Sequence, residues 1–277
     1  MTLTPDSDPN TMAAIHRVAH AMRRLGVSSA LRYDFHRARR ALGIAPRVVT
    51  LTARRSQYAL SARPDSTDFL VFGQTFVSEP YACLDGLPEV EFIVDCGANV
   101  GFASAFLLSQ FPRASLYAIE PDPGNFELLE RNLAPYGSRV RTELAGVWSH
   151  NARLKIEERP YRGGGAWARQ VRECAAGEAS DIEAIDIPTV MARNSRERIS
   201  ILKMDIEGSE CVVFSAPNVG SWLPSVDCLA VELHDDTHFG PCADVFHRAI
   251  AGQGFSVTQS HELTVCRRFP GIAARQI

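Results

Sequence analysis

The sequence predicts an α/β fold: a doubly wound, Rossmann-like parallel sheet with a terminal antiparallel hairpin, preceded by a helical N-terminal extension. Three observations predict it. The apolar strand Phe92-Ile93-Val94-Asp95 runs through the turn Cys96-Gly97-Ala98-Asn99-Val100-Gly101 straight into a helix. From residue 91 strand-like and helix-like segments alternate, the pattern of parallel strands joined by right-handed crossovers. Two extended runs, 255–259 and 263–268, close the sequence at hairpin spacing.

Met12, Ile15, Val18 or Ala19, Met22 and Leu25 recur at helical spacing, and Gly26 ends that run. Ser28 or Ser29 can cap a second helix, with Leu31, Phe35, Ala38 and Leu42 on one face and Gly43 as the stop. Strand-like runs follow at 48–52 and 57–62. Residues 64–82, with Phe69, Phe72, Phe76 and Tyr81, read as a helix or loop over the mouth of the next domain. The predicted division is therefore a mainly helical extension, 1–63, and an α/β domain, 64–277.

Strand 92–95, a helix over 100–111 stopped by Pro112, and strand 115–120 open that domain. Asp122 caps a helix beginning at Pro123, with Phe126, Leu129 and Leu133 inward. Strand 139–147 and an extended piece at 152–157 come next. Residues 159–180, with Pro160, Gly163-Gly164-Gly165, Trp167 and Gly177, read as a long loop of the functional or disordered kind. Strand 183–187, a short helix near 188–194, strand 199–204 ending at Asp205, a helix from Glu207, strand 226–233 and helix 241–252 precede the hairpin.

Composition narrows the class. The chain is 45% hydrophobic and 22% charged over 277 residues, enough to bury a full core. No apolar run is long enough to span a bilayer, and the polar, acidic start is not a secretory signal. Seven cysteines are scattered without a CxxC pair, an odd count that speaks against a disulfide framework and for a reducing cytoplasm. Residues 1–63 carry eleven arginines against three acids, although the whole chain has a net charge of −3. Such an arm either meets an anionic partner, solvates the faces of two helices, or docks on the acidic body. Nucleic acid is disfavoured, since neither interleaved aromatics nor a binding motif is present. The N-terminal helices offer a means of self-association; the oligomeric state is left open.

The glycine turn carries the chemistry. Gly97 and Gly101 let the backbone approach a ligand that any Cβ would block. Asp95, at the strand tip, argues against a dinucleotide, whose pyrophosphate avoids a neighbouring carboxylate. It suits a cation, and S-adenosyl-L-methionine offers an ammonium and a sulfonium. Glu120, at the tip of the second strand, can accept hydrogen bonds from both ribose hydroxyls. Nicotinamide-dependent oxidoreductases share that acid and form the alternative enzyme reading; a non-catalytic module binding through the basic arm is a third. Asn99 either bonds the carboxylate end of the cofactor or supplies a left-handed turn residue. Ala145 either lines the adenine pocket or is ordinary core.

The segments Asp95–Gly101, Ile119-Glu120-Pro121-Asp122-Pro123, Leu202-Lys203-Met204-Asp205-Ile206-Glu207-Gly208-Ser209-Glu210 and Val231-Glu232-Leu233-His234 stand in an order that resembles the FkbM family of S-adenosylmethionine-dependent methyltransferases. The resemblance covers about residues 77–268. It implies a class I methyltransferase fold, a methyl-donor cofactor and a small-molecule hydroxyl acceptor. The arginine-rich start and the Gly163–Gly165 loop lie outside it.

Transfer to a hydroxyl needs the donor positioned and the acceptor deprotonated. Asp205, Glu232 and His234, at the carboxyl ends of two neighbouring strands, are the catalytic candidates. His234 is the general-base candidate, since an imidazole titrates near neutrality. Alternatively Asp205, Glu232 and Asp235 hold Mg2+, which would acidify the acceptor hydroxyl. Asp205 also fits a helix N-cap, with Glu207 and Glu210 complementing the helix dipole.

Overall fold

A computed structural model describes residues 19–43, 47–156, 171–237 and 239–268. The chain divides into two compact units, Met1–Glu79 and Pro80–Ile277.

In the first unit residues 19–25 are helical (α1) and Gly26, at φ 87°, breaks the run before α2, Val27–Ala41. A two-stranded antiparallel ribbon follows, β1 (Val49–Leu51) on β2 (Leu60–Ala62). Next come α3 (Asp68–Gly73) and a π-helical turn, Gln74–Ser78. Tyr33 organises the core: it stacks on Phe69 and Phe72 at 5.5 and 5.6 Å and donates its hydroxyl to the Phe69 carbonyl at 2.8 Å. The arginine charge is partly spent inside this unit. Arg24 and Arg55 reach the buried Glu79 carboxylate at 2.7 and 3.1 Å, and Arg63 pairs with buried Asp68 at 2.9 Å. Those counter-ions lie beyond residue 63, which is the physical reason the unit extends to residue 79.

The apolar stripe of α2 faces outward. Leu31, Phe35 and Leu42 are 56%, 57% and 72% exposed, and Ala30 and Tyr33 are buried instead. Neither serine caps the helix; Gly26 occupies the N-cap, and Ser29 bonds Thr52 through its hydroxyl. The Met12–Val18 portion of the first predicted helix lies outside the described residues.

The second unit opens with the 3-10 turn Pro80–Leu84 and β3, Phe92–Cys96. It continues through α4 (Phe102–Gln110), β4 (Ser115–Glu120) and α5 (Pro123–Leu133). Asp122 caps α5 as the sequence predicts, accepting from the Asn125 amide at 2.9 Å, with Pro123 at the first position. Then come β5 (Val140–Leu144), β6 (Gly146–Val147), β7 (Ala152–Ile156), β8 (Val171–Glu173), β9 (Ile182–Ile185) and α6 (Ile187–Arg193). The chain ends through β10 (Ile201–Met204), α7 (Glu210–Ser215), α8 (Val219–Trp222), β11 (Cys228–Glu232), α9 (Cys242–Ile250), β12 (Phe255–Ser260) and β13 (Leu263–Arg268).

Seven strands form the main sheet in the order β12-β13-β11-β10-β3-β4-β5. The order reverses at β3, and β3, β4, β5, β10 and β11 run parallel. Every residue of β3 is buried, as expected of a central strand with both faces covered. One face packs Phe214 against Trp222 and edge-on to Phe246 at 4.8 Å. The last strand is not the edge: β13 is inserted antiparallel between β11 and β12, and β12 takes the edge. This is a doubly wound, Rossmann-like sheet with a terminal antiparallel hairpin.

The run predicted as strand 139–147 splits at Ala145. Its first part, β5, completes the main sheet, whereas β6 joins β9, β7 and β8 in a separate four-stranded sheet over Trp148, Leu154, Val171, Ile182 and Ala184. Strand β8 falls within the run read as a loop; the Gly163–Gly165 stretch lies outside the described residues. Among the described residues no helix is long and apolar enough to cross a membrane. All seven cysteines are free thiols.

Candidate active site

The carboxyl ends of β3, β4, β10 and β11 bring four of the motif segments to one edge of the sheet, at the point where the strand order reverses. Ligands bind at such an edge in open α/β sheets.

Lys203 is the residue the sequence analysis missed. The parallel register of β10 on β3 sets it directly opposite Asp95. It is 2% exposed, lies 3.0 Å from Asp95 Oδ1, donates to the Gly97 carbonyl at 2.7 Å, and stands 4.0 Å from Asp205 Oδ2. Burial alone would push its ammonium down; Asp95, Tyr81 and Asp205 hold it above the ordinary range. The other Asp95 oxygen accepts from Ser104 at 2.6 Å, and Asp95 is fully buried. Asp95 is thus the counter-ion of Lys203. A lysine in an otherwise apolar strand, Ile201-Leu202-Lys203-Met204, was the available signal, because burial there demands a counter-ion.

The glycines also serve the packing of the turn. A Cβ on Gly97, at φ 75°, would stand 1.8 Å from the Asp205 carbonyl oxygen. A Cβ on Gly101 would meet Leu129 at 2.8 Å, where the start of α4 packs on α5. Both permit protein–protein approach. The turn is stitched to its neighbours by Gly97 and Ala98 amides on the Ile119 carbonyl and by the Asp205 amide on the Cys96 carbonyl. Asn99 takes the left-handed conformation, at φ 50°. Ala145 is 2% exposed and packs in the main core.

Glu120 is 5% exposed and holds the turn from the β4 side. One oxygen accepts from the Asn99 amide at 2.8 Å and the other from the Asp122 amide at 3.0 Å. Burial pushes its carboxyl up to about 7 despite those donors.

At the ends of β10 and β11 the sequence-predicted catalytic residues come together around His234. The imidazole side chain is 2% exposed. Its Nδ1 lies 3.2 Å from Glu210 Oε1; its Nε2 faces Glu232, Glu207 and Asp205 at 3.5, 3.7 and 3.8 Å. Burial by itself would lower its pKa, but Glu210, Glu232 and Asp205 carry it up to about 11. The surrounding carboxylates thus favour the protonated imidazole, in contrast to the base titrating near neutrality that the sequence suggests. Burial raises the Asp205 carboxyl, with Lys203 and His234 opposing, and raises Glu207 to about 8.

Residues 205–209 form a turn before α7, so Asp205 is not its N-cap. Ser209 holds the N-cap position without a side-chain bond, and buried Glu210 ties the preceding turn together: it accepts from the Ile206 and Gly208 amides, each at 2.7 Å, while also bonding His234. Asp235 points elsewhere, accepting the Ala243 amide at 2.8 Å on the exposed side. The set Asp205, Glu232 and Asp235 is thus not the one that converges. Tyr81, buried, lies within reach of the charges of Lys203, Asp205, Asp95 and Glu232, and burial pushes its phenol up. His238 lies outside the described residues.

The sheet is doubly wound, with β13 inserted antiparallel and acids at the tips of β3, β4, β10 and β11, and the family match makes it that of an S-adenosylmethionine-dependent methyltransferase of Rossmann-like fold. The chain belongs to the methyltransferase FkbM domain family, whose model matches residues 95–257, more than half its length. It is similar to methyltransferase sdnD of Sordaria araneosa, 25% identical over 80% of this chain and 94% of that protein. It is also similar to methyltransferase 1 of Beauveria bassiana (strain ARSEF 2860), 24% identical over 68% of this chain and 81% of that protein. Among solved structures, precorrin-6y C5,15-methyltransferase from Geobacter metallireducens GS-15 aligns at 10% identity with a TM-score of 0.40, covering 70% of this chain and 89% of that one. Family membership sets aside the nicotinamide-dependent reading.

Proposed function

We propose that this methyltransferase acts on a hydroxyl of a small molecule, sugar or natural product, and that the acceptor oxygen meets the Asp205–Glu232–His234 cluster. The observation that carries the reading is the convergence of these side chains at the β10–β11 tips. Asp205 and Glu232 side chains there keep 31% and 24% of their surface in solvent. S-adenosylmethionine, when bound, supplies an activated methyl group on a sulfonium. The donor set fits it: half-open carboxylates suit its positive charge, and ionised Glu120 suits its ribose hydroxyls. Glu232 takes the acceptor's proton, and Asp205 and His234, the latter bonded to Glu210, position it. Free thiols are consistent with a cytoplasmic enzyme.

Calorimetric titration tests the cofactor half. The protein should bind S-adenosylhomocysteine and not NAD, and Glu120→Gln should weaken that binding while leaving the fold intact. Affinity should also rise with pH through about 7, where Glu120 ionises, because the ligand prefers the carboxylate form. A flat pH profile in the wild type would remove Glu120 from the ribose site. For the catalytic half, His234→Gln should lower turnover on the true acceptor by about a hundredfold with little change in S-adenosylhomocysteine affinity. Normal turnover in that variant would remove His234 from the mechanism.

A further inference from the structure

We infer that Asp205, Glu207 and His234 form a binding site for one divalent first-row transition ion of the Mn2+ type. One oxygen or nitrogen from each of the three lies within 4.8 Å of the others. His234 Nε2 is 3.7 Å from Glu207 Oε2 and 3.8 Å from Asp205 Oδ1, longer than a normal hydrogen bond to either. Two ligands held about 2.1 Å from one ion, at angles near 120°, stand about 3.6 Å apart. The two separations from His234 match ligands around a common centre.

Two further features point the same way. Glu207 Oε2 is buried without a hydrogen-bond partner, 3.7 Å from His234 Nε2, and the residue adopts a left-handed backbone at φ 55°. Such a conformation is costly for a non-glycine residue and calls for a compensating contact. Meanwhile the Glu210 carboxylate sits on Nδ1 of a fully buried imidazole and leaves Nε2 directed at the open carboxylates. A carboxylate on the far nitrogen is the usual second layer of a metal-ligating histidine. The imidazole among the ligands selects a transition ion; Mg2+ prefers an all-oxygen set.

The ion would take the place of the imidazolium proton. Resting on the methyl-transfer reading, its use is to acidify the acceptor hydroxyl, with Glu232, outside the three-ligand set, left to take the released proton. The site itself stands on ligand geometry alone.

The test uses the chelator-treated full chain and Mn2+, read by the electron paramagnetic resonance signal of the free ion, with no acceptor present. One Mn2+ per chain should bind, Zn2+ should displace it, and Mg2+ should compete much more weakly. Glu207→Gln and Asp205→Asn, two nearly isosteric changes, should each weaken Mn2+ by at least about tenfold. Absence of Mn2+ binding by the folded wild type, or binding untouched by both substitutions, overturns the site. Equal affinity for Mg2+ overturns the choice of ion. Loss in Asp235→Asn but not in Glu207→Gln overturns the ligand set. S-adenosylhomocysteine titration of the same samples separates the two readings: intact binding without Mn2+ binding leaves the methyltransferase reading standing and ends this one.

Discussion

Lys203→Ala is expected to destabilise the protein by about 3–5 kcal/mol, the largest effect of any single polar substitution at the site. The lysine is 2% exposed and lies 3.0 Å from a fully buried Asp95. Removing it leaves an uncompensated carboxylate in the centre of the sheet, held only by Ser104. It also frees the Gly97 carbonyl that Lys203 fixes at 2.7 Å. Urea unfolding followed by circular dichroism measures the loss. The double variant Lys203→Met with Asp95→Asn removes both charges and should recover much of the stability. If Lys203→Ala alone unfolds at the wild-type urea concentration, the pair is not the buried strut described here.

Gly97→Ala is expected to cost about 3 kcal/mol or more and to abolish S-adenosylhomocysteine binding. Two terms add: a side chain at φ 75°, about 1–2 kcal/mol, and displacement of backbone, about 1–3 kcal/mol. The second term is specific to this position, because the new Cβ would lie 1.8 Å from the Asp205 carbonyl oxygen. The β10–α7 turn must move away, and it carries Asp205 and Glu207. Gly86→Ala is the matched control, since Gly86 has φ 79° but no heavy atom within 4 Å of its would-be Cβ. It should lose only the strain term. Equal losses in the two variants would show that the approach of the two turns is unimportant.

Much of the main sheet was legible because its signals are local. Strand 92–95, the glycine turn, Asp122 before Pro123 and the final hairpin each depend on a few adjacent residues whose backbone preferences agree. The errors fall where locality ends. Leu31, Phe35 and Leu42 make a convincing apolar stripe, yet Tyr33 is the α2 residue that finds Phe69 and Phe72, and the stripe faces outward. Periodicity says which residues share a face, not which face finds a partner. Strand 139–147 reads as one extended run, and only the placement of a second sheet decides that it breaks at Ala145.

The sequence by itself determined the doubly wound class, the strand tips that carry Asp95, Glu120, Asp205 and Glu232, and the methyltransferase motif order, because these rest on short-range pattern and spacing. Only the tertiary structure decided what those acids do. The parallel register of β10 on β3 sets Lys203 against Asp95 and buries the pair together. The close pass of Gly97 and Asp205 fixes the turn that turns Glu207 inward. Packing of four carboxylates around buried His234 raises it to about 11, far from its solution value. Charge state and ligand geometry are set by neighbours that are distant in sequence and desolvated together, and no reading of adjacent residues contains that information.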